Sequence, residues 1–108
     1  SVGNTHLQNE NSAIIDYDLL RKISEITSVP LVIHGGSGVS PIDRIKMSKY
    51  YGVRKFNIGT EFRRLFGTIL RDILINDKNI FDRLEIMQKL KSALTKKAKK
   101  ILLDTNFK

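Results

Sequence analysis

Two histidines, His6 and His34, each stand at the end of an expected strand and open a loop. Neutral imidazole is a favoured zinc ligand, so two that converge on one sheet edge could share a metal ion. Two ligands do not complete a tetrahedral site. The chain has no cysteine, so a third must be a carboxylate or come from elsewhere. From the residues alone, a shared metal and a non-ligand role stand level. Directly after His34, Gly35-Gly36-Ser37-Gly38 presents consecutive backbone N–H groups unobstructed by side chains, together with a hydroxyl. Glycine permits the close approach that an anion cradle needs. Asn57-Ile58-Gly59-Thr60 repeats these elements further on and opens a helix, whose N-terminus favours anions. Two such loops at adjacent strand ends predict one phosphate site, although either alone could serve as a tight turn. A nucleophile elbow would need glycine at position 39, where Val39 stands. Neither the P-loop nor the G-x-G-x-x-G pattern is present.

The elements that position these residues follow from periodicity and punctuation. Val2 to His6 reads as a strand end, and positions 7–15 as a polar loop. Asp16 is the expected N-cap of a helix with the apolar stripe Leu19, Leu20, Ile23 and Ile26. After Pro30, Leu31-Val32-Ile33 is a short, continuously apolar strand of the kind buried in parallel sheets. Ser40-Pro41 starts a helix that should end near Gly52. Positions 53–58 form a second strand. The next helix carries Phe62, Leu65, Phe66, Ile69, Leu70, Ile73 and Leu74 on one face, and positions 76–79 break it. Asp82 and Glu85 suggest a capping box for a last helix over 82–103. This alternation predicts an α/β fold with parallel strands, and every polar candidate falls at the C-terminal end of a strand.

Charge and composition restrict the function classes. The chain has 108 residues and a net charge of +8, of which +6 lies between Lys89 and Lys108. Lys89, Lys91, Lys96, Lys97, Lys99 and Lys100 alternate with Leu90, Leu94, Ala98, Ile101 and Leu102 at helical spacing, so they read as the solvated face of an amphipathic helix. No aromatic residue stands among them to stack on bases. The absence of cysteine excludes a disulfide scaffold, thiolate metal sites and thiol catalysis within the chain. No apolar run approaches the roughly 18 residues of a membrane span. One segment, 1–108, with no internal linker, is expected.

Three stretches together resemble the C-terminal part of class II, zinc-dependent ketose-bisphosphate aldolases of the fructose- or tagatose-bisphosphate kind. They are Ser1-Val2-Gly3-Asn4-Thr5-His6, the run from Val29 to Gly38, and Lys55-Phe56-Asn57-Ile58-Gly59-Thr60-Glu61. The resemblance implies a (β/α)8 (TIM) barrel, of which this chain supplies the end of strand six, strands seven and eight and the following helices. It implies that His6 and His34 are two of three zinc ligands. It also implies that Gly35, Gly36, Ser37, Asn57, Ile58, Gly59 and Thr60 hold the phosphate and triose body of dihydroxyacetone phosphate. At position 7 the chain departs from the family's usual glycine, carrying Leu7.

The implied reaction is reversible cleavage of fructose 1,6-bisphosphate or tagatose 1,6-bisphosphate to dihydroxyacetone phosphate and glyceraldehyde 3-phosphate, a lyase step of carbohydrate metabolism such as glycolysis. Zn2+ is the implied cofactor, and the proton-transferring acid is expected upstream, with no catalytic residue in this segment. The segment alone is expected to be inactive. The full-length protein is expected to be a cytoplasmic homo-oligomer, dimer or tetramer, without membrane or nucleic-acid partners. An alternative expectation is a truncated, non-catalytic relic of the family that binds phosphate or a partner. Weak nucleic-acid affinity through the lysine-rich end would then show as steep salt dependence.

Overall fold

Residues 1–4 and 13–105 are described by a computed structural model; His6 lies outside them. Four helices and two strands follow in the order α1 (Tyr17–Ile26), β1 (Leu31–Ile33), α2 (Pro41–Tyr50), β2 (Val53–Phe56), α3 (Thr60–Asn76) and α4 (Arg83–Asp104). A short 3-10 turn, Gly36–Gly38, separates β1 from α2. The strands pair in parallel, with Ile33 opposite Phe56. The expected α/β pattern is therefore present.

Local chemistry sets the boundaries. The Asp16 carboxylate accepts the Leu19 N–H at 2.9 Å and so caps α1. Ser40 caps α2 by accepting the Asp43 N–H at 3.1 Å, while its hydroxyl donates to the Asp43 carboxylate at 2.6 Å. Pro41 occupies the first helical position, where its missing N–H costs nothing. Past Tyr51, Gly52 adopts φ +67°, a left-handed conformation that favours glycine and ends the helix. The Asp82 carboxylate accepts the Leu84 N–H at 2.8 Å, whereas Glu85 pairs with Lys89 at 2.9 Å, so the capping interaction is made by Asp82 without Glu85.

Three expectations need adjustment. The segment through Gly3 is irregular rather than a strand end, and Gly3 has φ +97°. The second strand stops at Phe56 instead of position 58, because the facing β1 ends at Ile33. The last ladder-type bond runs from the Asn57 N–H to the Ile33 carbonyl at 2.8 Å. The buried stripe of α1 is also narrower than its periodicity suggests. Leu20 is buried and Ile23 half-buried, while Leu19 and Ile26 are exposed, since only one side of this helix meets the core.

The core joins the N-terminal segment to the first βα unit. Val2, Ala13, Ile15, Leu20, Ile33, Val39, Met47 and Val53 form one buried cluster, flanked by Tyr17, Leu31, Tyr51 and Phe56. Backbone bonds from Asp16 to Val2 and from Ala13 to Gly38, both 2.9 Å, tie the N-terminal segment to it. Tyr17 adds a ring contact with Tyr51 at 5.4 Å and a hydrogen bond to Asp43. The radius of gyration is 17.2 Å, against about 13 Å for a compact domain of this length. α3 and α4 pack against each other, and Leu90 and Ile101 are the buried residues of α4.

Candidate active site at the carboxyl ends of the two strands

His34 follows the last residue of β1, and Asn57 the last residue of β2. Parallel pairing brings these two strand ends side by side. Asn57 Nδ2 lies 3.2 Å from His34 Nδ1. The contact ties the ring to the end of β2, and which side chain donates is set by the imidazole tautomer. The Asn4 side chain donates to the His34 carbonyl, which draws the N-terminal segment to the same strand end. Asn4 is 6% exposed, and this bond satisfies a polar group that would otherwise be buried at a cost.

The two glycine loops meet directly. Gly35 adopts φ +64°, turning the chain back immediately after His34. The Gly36 N–H donates to the Asn57 carbonyl at 3.0 Å. A Cβ at Gly36 would stand 3.1 Å from that oxygen and 3.1 Å from Ile58 Cγ1, a tight fit that the neighbours would have to relieve by a few tenths of an ångström. This amide, together with the Gly38 and Val39 amides that close the 3-10 turn, is engaged within the protein. The Gly35–Gly38 loop is thus less open to an anion than its sequence suggests.

Ser37 connects the loops a second time. The N-cap of α3 is Gly59, which has no side chain to cap the helix. Instead, Ser37 Oγ accepts the Glu61 N–H at 3.2 Å and performs the capping role from the neighbouring loop. The Ser37 hydroxyl keeps its own hydrogen for donation. Thr60 opens α3 and is half-buried beside it, at a helix end whose dipole attracts negative charge.

A buried ion network backs this arrangement. Arg44 of α2 is 3% exposed and donates from Nη2 to the Gly36 carbonyl at 2.9 Å and to Glu61 Oε1 at 2.8 Å. Lys97 of α4 reaches Glu61 Oε2 at 2.6 Å. Burial pushes the Glu61 carboxyl up, but hydrogen bonds from Lys97 and Arg44 and their charges outweigh it, leaving the group below its ordinary value of 4.5. Lys97 therefore departs from the expected solvated lysine face. Neither Arg44 nor this pairing is visible in the sequence pattern, because the partners lie far apart in the chain.

Among the described residues, no three metal-binding side chains cluster. His34 nonetheless fits a ligand role: it is exposed at a strand end, and with Nδ1 engaged by Asn57 the nitrogen that would coordinate is Nε2. Asn57 would then act as the neighbouring group that orients the ring. Of the other anticipated residues, Gly35 and Gly36 are buried, whereas Ser37, Ile58 and Gly59 are half-buried around the same strand ends.

A family model described as "Fructose-bisphosphate aldolase class-II" matches residues 1–107. The chain belongs to the class-II fructose-bisphosphate aldolase family. It is 30% identical over 87 residues to a fructose-bisphosphate aldolase of Geobacillus stearothermophilus, covering 81% of this chain and 30% of that protein. It is 35% identical over 82 residues to a 6-phospho-5-dehydro-2-deoxy-D-gluconate aldolase of Halalkalibacterium halodurans, covering 76% of this chain and 28% of that one. The crystal structure of the YdjI aldolase from Escherichia coli K12 superposes with a TM-score of 0.70 at 24% identity, covering 85% of this chain and 33% of its own, and shows a shared fold. The chain spans about a third or less of these relatives. No helix among the described residues is long and apolar enough to cross a membrane.

Proposed function

We propose that the chain is the C-terminal portion of a zinc-dependent class-II aldolase that reversibly cleaves a ketose 1,6-bisphosphate, fructose or tagatose, into dihydroxyacetone phosphate and glyceraldehyde 3-phosphate. The observation that carries this reading is the junction of two loops at adjacent parallel strand ends, where Asn57 meets His34 and Gly36 and where Ser37 caps the helix that Thr60 opens. β1 and β2 correspond in this reading to strands seven and eight of a barrel. A cleft of about 510 Å³ lined by Val2, Leu20, Ile23, Val32 and His34 lies open beside β1, consistent with a barrel continuing past that strand.

His6 and His34 would hold the zinc with a third histidine from the preceding part of the barrel. Asn4, two residues before His6, is bonded to the His34 carbonyl, which supports a shared site. When bound, the metal supplies Lewis-acid polarisation of the substrate carbonyl. His34 would offer Nε2, while the contact of its Nδ1 with Asn57 fixes the ring. The Ser37 hydroxyl donates to the substrate phosphate, while Thr60 and the α3 N-terminus attract its charge. Gly36 and Gly59 keep the two loops close and clear of side chains. The acid that moves the proton belongs to the preceding part of the barrel. The full protein is read as a cytoplasmic homo-oligomer.

The test is an assay of the full natural polypeptide with fructose and tagatose 1,6-bisphosphates in the presence of zinc. Turnover of one of them, abolished in His34→Ala with reduced zinc content, is the expected result. Unchanged turnover in His34→Ala would remove the zinc assignment.

A further inference from the structure

Arg44 is a costly residue to bury, and its contacts show what its charge does. The guanidinium is held between the Gly36 carbonyl and Glu61 Oε1, at 2.9 and 2.8 Å, with its side chain only 4% exposed. Among the described residues its Nε has no hydrogen-bond partner. A buried group that leaves one of its own donors unsatisfied is held by its remaining contacts at a net cost, so stability alone does not account for it.

Those contacts close a ring around Ser37. Arg44 holds the Gly36 carbonyl, and that carbonyl and the Ser37 N–H belong to one planar peptide unit. Fixing the oxygen fixes the direction of the Ser37 N–H. Arg44 also holds the Glu61 carboxylate, and the Glu61 main-chain N–H returns to Ser37 Oγ at 3.2 Å. The Val39 N–H also bonds the Gly36 carbonyl, at 3.1 Å, and Lys97 also bonds Glu61, at 2.6 Å. Among the described residues, however, the guanidinium is the one group that joins the carbonyl to the carboxylate, and it is itself remote from solvent. A cation on the carbonyl oxygen also draws electron density from the peptide and strengthens the opposite N–H as a donor.

We propose that Arg44 is a positioning residue for the phosphate site: it sets the Ser37 N–H and hydroxyl toward the substrate phosphate through the Gly36 carbonyl and Glu61. The proposal rests on the phosphate-binding reading given above. Arginine suits the task because the two N–H groups of Nη2, fixed in the guanidinium plane, address a carbonyl and a carboxylate together, which the freely rotating ammonium of lysine does less well.

The test uses the full polypeptide in three forms: wild type, Arg44→Lys, and the double variant Arg44→Met/Glu61→Gln, which leaves no unpaired charge in the interior. Ketose-bisphosphate kinetics, the affinity for inorganic phosphate, zinc content, and the Ser37 amide resonance without ligand are measured on each. The double variant is expected to raise KM and the phosphate dissociation constant together by about tenfold, the loss of one good hydrogen bond. kcat should fall by a smaller factor and zinc content should match wild type. The Ser37 amide resonance should move, and Arg44→Lys should restore part of the affinity. Wild-type KM and phosphate affinity in a folded double variant would overturn the role of Arg44 while leaving the phosphate site intact. A wild-type protein that turns over no ketose bisphosphate and binds no phosphate would overturn both. A wild-type Ser37 resonance in the double variant, with weakened binding, would also overturn the proposal, since the effect would then not pass through Ser37.

Discussion

Replacing Glu61 by glutamine isolates the charge that joins α2, α3 and α4. The side chain is 15% exposed and accepts from Arg44 at 2.8 Å and Lys97 at 2.6 Å. Removing one partner of a buried ion pair costs about 3–5 kcal/mol, because the other charge is left uncompensated. Glutamine keeps one acceptor oxygen for Arg44, and the half-exposed Lys97 can turn to water, so about 2 kcal/mol is expected. With a urea dependence of about 2 kcal/mol per molar, that is a fall of about 1 M in the unfolding midpoint at pH 7. The pH dependence provides an internal control. The folded Glu61 carboxyl lies below its ordinary value of 4.5, so its contribution is fully present above that value and is lost as pH falls through the folded one. The gap between wild type and Glu61→Gln should therefore be full at neutral pH and close in the acid range below 4.5. Urea unfolding of both proteins across that range is the assay. A midpoint change of less than about 0.2 M at pH 7, or a gap that persists unchanged into acid, would refute the reasoning.

Two further outcomes follow from local geometry. Gly36→Ala places a Cβ 3.1 Å from the Asn57 carbonyl oxygen and 3.1 Å from Ile58 Cγ1, so the facing loop must give by a few tenths of an ångström. The expected cost is about 1–3 kcal/mol, read by chemical denaturation, with weaker phosphate binding by titration. The Tyr17 phenol is raised above its ordinary 10.0 by burial, then by its hydrogen bond to Asp43 and the charge of that carboxylate. In an ultraviolet titration one tyrosine should ionise late, and Tyr17→Phe should remove that late step.

The parts of this fold that could be read in the sequence are those governed by neighbours in the chain. Asp16, Ser40-Pro41 and Gly52 mark helix ends through bonds and dihedral angles spanning a few residues, and the structure uses each as expected. The apolar run Leu31-Val32-Ile33 likewise becomes β1. The strand over 53–58 overshot because its length depends on where β1 stops supplying partners, which is a property of the pair. In the candidate site, His34 and Asn57 were readable as strand-end residues, and the structure adds their mutual contact. Ser37 capping α3 was not legible, since a helix start at Gly59 gives no hint that its cap stands 22 residues earlier. The same holds for Arg44, Glu61 and Lys97. α2 exposes Ile42 and Ile45 and buries Arg44, an inversion that only the Gly36 carbonyl and Glu61 explain.

The central claim, a zinc-dependent aldolase site built on His34, is tested most directly by zinc X-ray absorption on the zinc-loaded full polypeptide and its His34→Ala variant. The account predicts a spectrum dominated by imidazole nitrogen at about 2.0–2.1 Å, with one such ligand missing in the variant. A zinc spectrum without imidazole scattering, or one identical in His34→Ala, would contradict it.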